Sequence, residues 1–480
     1  MTFDEYESHD AVGLAERVRS GEVQPSELLD AAMERAQDRN PDLNAIVVDM
    51  EKQARSRIEA GLPEGPLRGV PFLLKDLHML YADGRSTNGS ALFRDSVADH
   101  DSELVRRYKH AGLVIFGRSA SPEFGLTATT ESAVFGVTRN PWSPEHTAGG
   151  SSGGASSAVA GGILPAAHAS DGGGSIRIPA ACCALYGLKP TRGRTPYGPD
   201  AGEGWSGMSC MHAVTRSVRD SAALLDVTQG PDSGAPYVAP PPERPYLEEV
   251  GAAPGQLRIA LQKQPWNGSA LHPDCLAGVE DAATLLSDLG HHVEEAPLEI
   301  DYGTLGPASN VITSANLRAL VDDRISHLGR ELADDDLEPI THAMYQAGGK
   351  RTASDYARAV RTIHAVGRSV AGHMQRYDLI LSPTMASPPP PVGALSLSNP
   401  DRASYGRDIL SAIGFTQLFN AAGNPAASLP LYWNREGLPI GIQLAARFGD
   451  EATLFRVSAQ LEEARPWFER HPAMLRGGDA

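Results

Sequence analysis

The sequence predicts an α/β fold: a single large mixed β-sheet, mainly parallel, covered by helices on both faces. Three observations predict it. Short apolar runs of the buried-strand kind alternate with segments whose apolar residues recur at helical spacing. The 480 residues include 49 glycines and 36 prolines, which favours frequent turns over long helical bundles. A hydrophobic fraction of 41% is enough to bury a substantial core.

Taken in order, residues 10–60 read as packing helices. Ala11, Leu14, Ala15 and Val18 recur at helical spacing before Gly21, and Leu28, Leu29, Ala32, Met33 and Ala36 do so after Pro25-Ser26. Residues 70–77, VPFLLKDL, form an apolar run that predicts a buried strand with a lysine at its C-terminal end. Residues 102–111 predict a helix and 113–117 the strand after it, the alternation that argues for parallel pairing. Another amphipathic helix is predicted over 215–225. Residues 231–245 are proline-rich and polar, an exposed connection marking an insertion rather than a separable domain. A second strand–helix–strand series opens at 257–261, and 300–375 is helical, with the acidic run Asp334-Asp335-Asp336 expected on a solvated face. Residues 379–384 read as a strand, 388–391 as a proline loop, 439–444 as a strand and 451–464 as a closing helix. The expected organisation is one domain over 1–480. It comprises an N-terminal helical part (1–65), a catalytic core (66–230), a variable substrate-side region (231–375) and a C-terminal completion of the core (376–480).

Composition excludes several function classes. Formal charge is −17, from 42 Lys and Arg against 59 Asp and Glu. A chain this acidic, without a basic run, lacks the electrostatic footprint for nucleic acid or an anionic membrane. No apolar run reaches the about 18 residues of a membrane span. Residues 1–13, MTFDEYESHDAVG, lack the basic and apolar regions of a signal peptide. Cys182, Cys183, Cys210 and Cys275 show no C-x-x-C spacing and read as buried thiols in a reducing compartment. The expectation is a cytoplasmic protein with a small-molecule partner, no nucleic acid and no membrane, for which a homodimer is allowed.

Chemistry concentrates in residues 147–191. This stretch holds Gly149-Gly150-Ser151-Ser152-Gly153-Gly154 and Gly172-Gly173-Gly174-Ser175, separated by an apolar segment that a flexible linker would lack. Ser151 formally matches G-x-S-x-G, the nucleophile elbow. That motif needs an apolar strand before it, whereas RNPWSPEHT reads as a loop. No G-x-x-x-x-G-K-[ST] phosphate loop occurs. Ser175 precedes a predicted helix reaching Tyr186-Gly187, so it is either an N-cap or a hydroxyl beside backbone donors suited to an oxyanion. Lys75 is either a buried general base, neutralised by low dielectric, or a lysine that snorkels out or pairs with Asp76.

Together these residues resemble the amidase signature family. The carriers are GGSSGG…SDGGGSIRIPAACCALYGLKPTRGR, with the two serines 24 positions apart and Lys75 76 positions before Ser151. Residues 40–45, NPDLNA, 69–71, GVP, 423–430, GNPAASLP, and 437–441, GLPIG, extend the resemblance over nearly the whole chain. Within the family, Arg139-Asn140-Pro141-Trp142 and the segment lengths are most similar to bacterial amidases of the 6-aminohexanoate cyclic dimer hydrolase type. The resemblance implies the amidase signature fold and an amidohydrolase without metal or organic cofactor. It implies Ser175 as nucleophile, Ser151 with a cis peptide bond as the relay, and Lys75 as base. Gly172, Gly173, Gly174 and Ser175 would form the oxyanion hole, with Ser170, Asp171, Gly150 and Ser152 in support. His168 is expected to be structural.

The implied substrates are small or medium linear, cyclic or aryl amides, with esters and carbamates accepted by the same acyl-enzyme chemistry. Two departures bear on substrate: Ala120 in Arg118-Ser119-Ala120 loses an amide at the site's edge, and Gly172 widens the acyl side. The alternatives are an amidotransferase A-type subunit acting only within a complex and a catalytically dead binding protein. The first lacks support because residues 204–210 read GWSGMSC, not Ser-Ser-Leu-Asp-Gln.

Overall fold

A computed structural model describes residues 3–475, so residues 1–2 and 476–480 of the expected 1–480 domain lie outside the described residues. Its strands fall into two principal sheets. The first has three strands, β1 (Ile46–Asp49), β2 (Pro71–Lys75) and β3 (Val114–Ser119), in the order β1-β3-β2. Strands β2 and β3 are fully buried and pair in parallel, placing Lys75 opposite Ser119. Helix Glu103–His110 makes the crossover, as its alternation with the strand predicts.

The second sheet has eight strands: β4 (Ala166–Asp171), β5 (Tyr186–Lys189), β6 (Cys210–Thr215), β7 (Arg258–Leu261), β8 (His292–Glu295), β9 (Leu379–Pro383), β10 (Ala426–Trp433) and β11 (Pro439–Ala446). Their order is β8-β7-β9-β11-β10-β5-β6-β4. Helices Gly153–Ala160, Arg177–Cys182, Val218–Thr228, Pro273–Asp288 and Glu451–Ala464 pack against it.

The mixed α/β architecture is as expected, with two corrections. The large sheet is not mainly parallel: only β8–β7 and β7–β9 are, and the other five pairs are antiparallel. Parallel pairing occurs where helices supply long crossovers. The five residues 434–438 between β10 and β11 can form only a hairpin. Nor is there a single sheet. Strand β2 packs alongside β4, but no backbone ladder joins them. The Ser170 N–H and C=O are both engaged by the Ser152 hydroxyl, which blocks ladder formation at the end of β4.

Two further expectations change. The 231–375 region supplies β7 and β8 to the main sheet, so it completes the core as well as adding helices Tyr302–Leu328, Pro339–Gly348 and Ala353–His373. Of the acidic run, Asp334 and Asp335 are exposed, but Asp336 is buried and accepts from the Arg330 guanidinium and the Ala333 N–H. All four cysteines are free and buried. Among the described residues no helix is long and apolar enough to cross a membrane.

Candidate active site

Lys75 ends β2 with its side chain fully buried. It neither snorkels nor pairs with Asp76, whose carboxylate accepts the Thr87 N–H at 2.9 Å and the Thr87 hydroxyl. Instead Lys75 Nζ lies 2.7 Å from Ser151 Oγ and 3.0 Å from Ser170 Oγ. Burial pushes its pKa down to about 7, against the opposing charge of Asp171. The backbone N–H of Lys75 donates to His168 Nδ1 at 3.3 Å. Burial and neighbouring cations hold this imidazole neutral, in keeping with a structural histidine.

Ser151 is delivered by a loop that tolerates no side chain at Gly150. A Cβ there would stand 2.2 Å from the Thr129 carbonyl oxygen. The Gly150–Ser151 peptide is cis. Thr130 Oγ1 donates to the Gly149 carbonyl and accepts from the Gly153 N–H, and the Ser152 hydroxyl ties the loop to Ser170 on β4. The polar segment before Gly149 is a two-stranded ribbon, Arg139–Asn140 with Ser143–Thr147, rather than a loop. It is not the buried apolar strand an elbow requires, and Ser151 itself is only 2% exposed. Gly125, at φ +69°, passes so close that a Cβ would stand 3.0 Å from Ser151 Oγ. Nothing in its surrounding sequence marks that approach.

Ser175 is the partly exposed member of the set. It precedes a helix that ends at Cys182, short of the predicted Tyr186-Gly187, because the chain reverses at Ala184 (φ +57°) and enters β5. Among the described residues Ser175 Oγ has no hydrogen-bond partner, and the N–H groups of Gly172, Gly173 and Ser175 have no acceptor. Gly174 departs from the expected oxyanion role: its N–H donates to Asp171 Oδ1 at 2.7 Å. Its contribution is conformational, a φ of +134° with no room for a Cβ, which would lie 2.5 Å from Thr416 Oγ1.

The loop carrying Ser175 is locked by an ion pair. Asp171 and Arg177 are both fully buried, with Arg177 Nε 2.9 Å from Asp171 Oδ2 and Nη2 3.0 Å from Oδ1. Burial alone would raise the Asp171 carboxyl; Arg177, then Asn420 and Lys189, reverse this and hold it below the usual carboxylate range. Arg177 also donates to the Thr416 carbonyl, Gln443 Oε1 and Asn420 Oδ1, and Thr416 Oγ1 donates to the Gly173 carbonyl at 2.7 Å. Sequence reading missed Arg177, Thr416, Asn420 and Gln443. The available signal was a polar residue inside a buried apolar run, Arg177 between two isoleucines and Gln443 between Ile442 and Leu444.

The structure places both departures noted for substrate. Ala120 is buried against helix Gly153–Ala160, its carbonyl accepting the Gly154 N–H. At Gly172 the Trp205 ring fills the space a side chain would take.

The arrangement places an amine whose pKa burial lowers to about 7 beside a buried hydroxyl, with a more exposed hydroxyl and three free backbone donors on the adjoining loop. Chemically, such a set is able to act as base, proton carrier, nucleophile and oxyanion cradle. The chain matches the Amidase family over residues 27–455. It is 38% identical to 6-aminohexanoate-cyclic-dimer hydrolase of Paenarthrobacter ureafaciens, covering 97% of each chain. A solved structure of 6-aminohexanoate cyclic dimer hydrolase superposes with a TM-score of 0.91 at 36% identity, covering 97% of this chain and 99% of that one. A bacterial aryl acylamidase of the amidase signature family gives a TM-score of 0.86 at 28% identity, covering 96% of each.

Proposed function

Because the chain belongs to the amidase family, hydrolases of carbon–nitrogen bonds other than peptide bonds, we propose that it cleaves small or medium amides through an acyl-enzyme on Ser175. Neutral Lys75 takes the proton of Ser151 as Ser151 takes that of Ser175, and Ser175 Oγ attacks the carbonyl carbon. The developing oxyanion meets the N–H groups of Gly172, Gly173 and Ser175, each such donor stabilising it by about 3 kcal/mol in comparable sites. Collapse breaks the C–N bond as Ser151 returns its proton to the leaving nitrogen. Water then attacks the ester by the same relay in reverse.

The observation that carries this reading is the 2.7 Å contact between Ser151 Oγ and a fully buried Lys75 whose pKa is near 7. The names of the relatives make 6-aminohexanoate cyclic dimer and aryl anilides the first substrates to try. Aryl esters and carbamates present the same carbonyl to the same cradle. Four free buried thiols support a cytoplasmic setting.

The test is turnover of an anilide, cyclic-amide and carbamate panel by the purified chain alone, beside Ser175→Ala and Lys75→Ala. Hydrolysis by wild type, covalent labelling by a fluorophosphonate and loss of both in Ser175→Ala are expected. Persistent hydrolysis by Ser175→Ala overturns the mechanism. A purified chain inert on every simple amide favours the amidotransferase-subunit alternative.

A further inference from the structure

Trp205 stands where the oxyanion loop lacks a side chain. A Cβ on Gly172 would lie 2.5 Å from Trp205 Cζ3 and 2.6 Å from Cε3, so the benzo edge of the indole presses directly on the backbone of a proposed oxyanion donor. The ring is half-buried, as are Gly172, Gly173 and Ser175. Trp205 and Ser206 both adopt left-handed backbone, φ +54° and +56°, which is uncommon for a bulky residue and persists where surrounding contacts impose it. Those contacts are present. Arg192 Nε donates to the Gly207 carbonyl at 2.6 Å, Asn420 Nδ2 to the Met208 carbonyl at 3.0 Å, and the Ser206 and Tyr356 hydroxyls lie 2.8 Å apart. The Asn420 that holds this turn also donates to Asp171, so indole and nucleophile loop share one anchor.

Strand order decides which side of the substrate the ring faces. Along β4, the edge at Ser170 is engaged by the Ser152 loop, with Lys75 beyond it, whereas β6 pairs along the opposite edge with Cys210 facing Asp171. Trp205 lies on the turn leading into β6. The leaving nitrogen must reach Ser151 to be protonated, so it occupies the Lys75 side. The acyl chain then extends toward β6, where the indole stands.

We propose that Trp205 is a specificity-determining residue, the wall of the acyl pocket, which admits acyl groups that are flat or unbranched next to the scissile carbonyl and rejects those branched there. This rests on the Ser175 acyl-enzyme reading. The carbon next to the carbonyl lies within two bonds of the oxygen held by the Gly172 N–H, so a branch on it meets the ring edge. The pocket is narrowed by a residue from a neighbouring turn rather than by a side chain on the oxyanion loop itself.

The test uses 4-nitroanilides of butyric and 2-methylpropanoic acid, which share a leaving group, and butyranilides that vary only the amine ring. Wild type should prefer the straight acyl chain. In Trp205→Ala that preference, as a ratio of kcat/KM values, should fall at least about tenfold while the ranking of amine rings stays within about twofold. Trp205→Phe, which keeps a smaller ring in place, should move the acyl ratio part of the way and serves if Trp205→Ala fails to fold. Fluorophosphonate titration counts competent sites in each variant. An acyl ratio unmoved in competent variants, or a shift confined to the amine series, overturns the proposal. Ser175→Ala that still hydrolyses overturns the acyl-enzyme reading instead, so the two failures are distinct.

Discussion

Asp171 and Arg177 form an ion pair in which neither side chain is exposed, and the five residues between them include Ser175. Removing one member leaves the other charge buried, so Asp171→Ala should lower stability by about 3–5 kcal/mol and release the Gly174 N–H. Replacing both, as Asp171→Ala with Arg177→Met, should recover part of that loss because no bare charge remains. Urea unfolding of the two single variants and the double variant checks it. A double variant as unstable as the sum of the singles would contradict the pairing.

Lys75 can accept a proton only when neutral, and its pKa is about 7. Below that pH the ammonium is already occupied, so kcat/KM should rise with pH through a single limb centred near 7. The buried imidazole beside Lys75 does not compete for this limb: burial and neighbouring cations hold His168 well below its ordinary value. The limb should therefore survive His168→Gln. Stability follows the same sign. Between about 7 and the unfolded lysine value of about 10.4, the unfolded chain binds a proton that native Lys75 does not, so this group favours folding more as pH rises. Stability of wild type relative to Lys75→Met should climb across that window.

Ser151 and Ser175 act as one relay in the proposed mechanism. Ser151→Ala and Ser175→Ala should each lower kcat/KM at least about 1,000-fold, and the double variant should fall little further. Steady-state kinetics on one anilide settles it; losses that multiply would mean the two hydroxyls work independently.

Two glycines separate steric from catalytic effects. Gly150→Ala drives a Cβ into the Thr129 carbonyl, 2.2 Å away, and should cost about 3 kcal/mol of stability. Gly173→Ala meets nothing within 4 Å and should leave Tm unchanged. Thermal unfolding distinguishes the pair.

Lys75, Ser151 and Ser175 were legible because each lies in a local pattern, a lysine closing an apolar run or a serine among glycines. Their partners were not. Arg177 reaches Gln443 266 positions away, and Thr416 reaches Gly173 across 243, separations that no local pattern encodes. Strand β4, AAHASD, has too few large apolar residues to announce itself, though it is buried throughout. Strand β10 was hidden by Pro430, which sits where its pairing with β11 shifts register between Leu429 and Tyr432. The parallel share was overread because helix–strand alternation is conspicuous and a five-residue hairpin is not.

The proposed catalytic set is divided between two sheets. Lys75 belongs to the three-stranded one, while Asp171 closes β4 of the eight-stranded one and leads into Ser175. Across that seam run side-chain contacts, Lys75 to Ser151 and Ser170 and the Lys75 N–H to His168, in place of a backbone ladder. The seam is also packed by apolar side chains, Phe72 and Leu74 sharing one core with Ala167 and Ala169, but without a ladder it can part at lower free energy than either sheet can melt. Mild denaturant should therefore silence hydrolysis before far-UV dichroism changes, with amide exchange accelerating first at the end of β2. Loss of turnover would then gauge docking of the two sheets, ahead of any unravelling of the strands themselves.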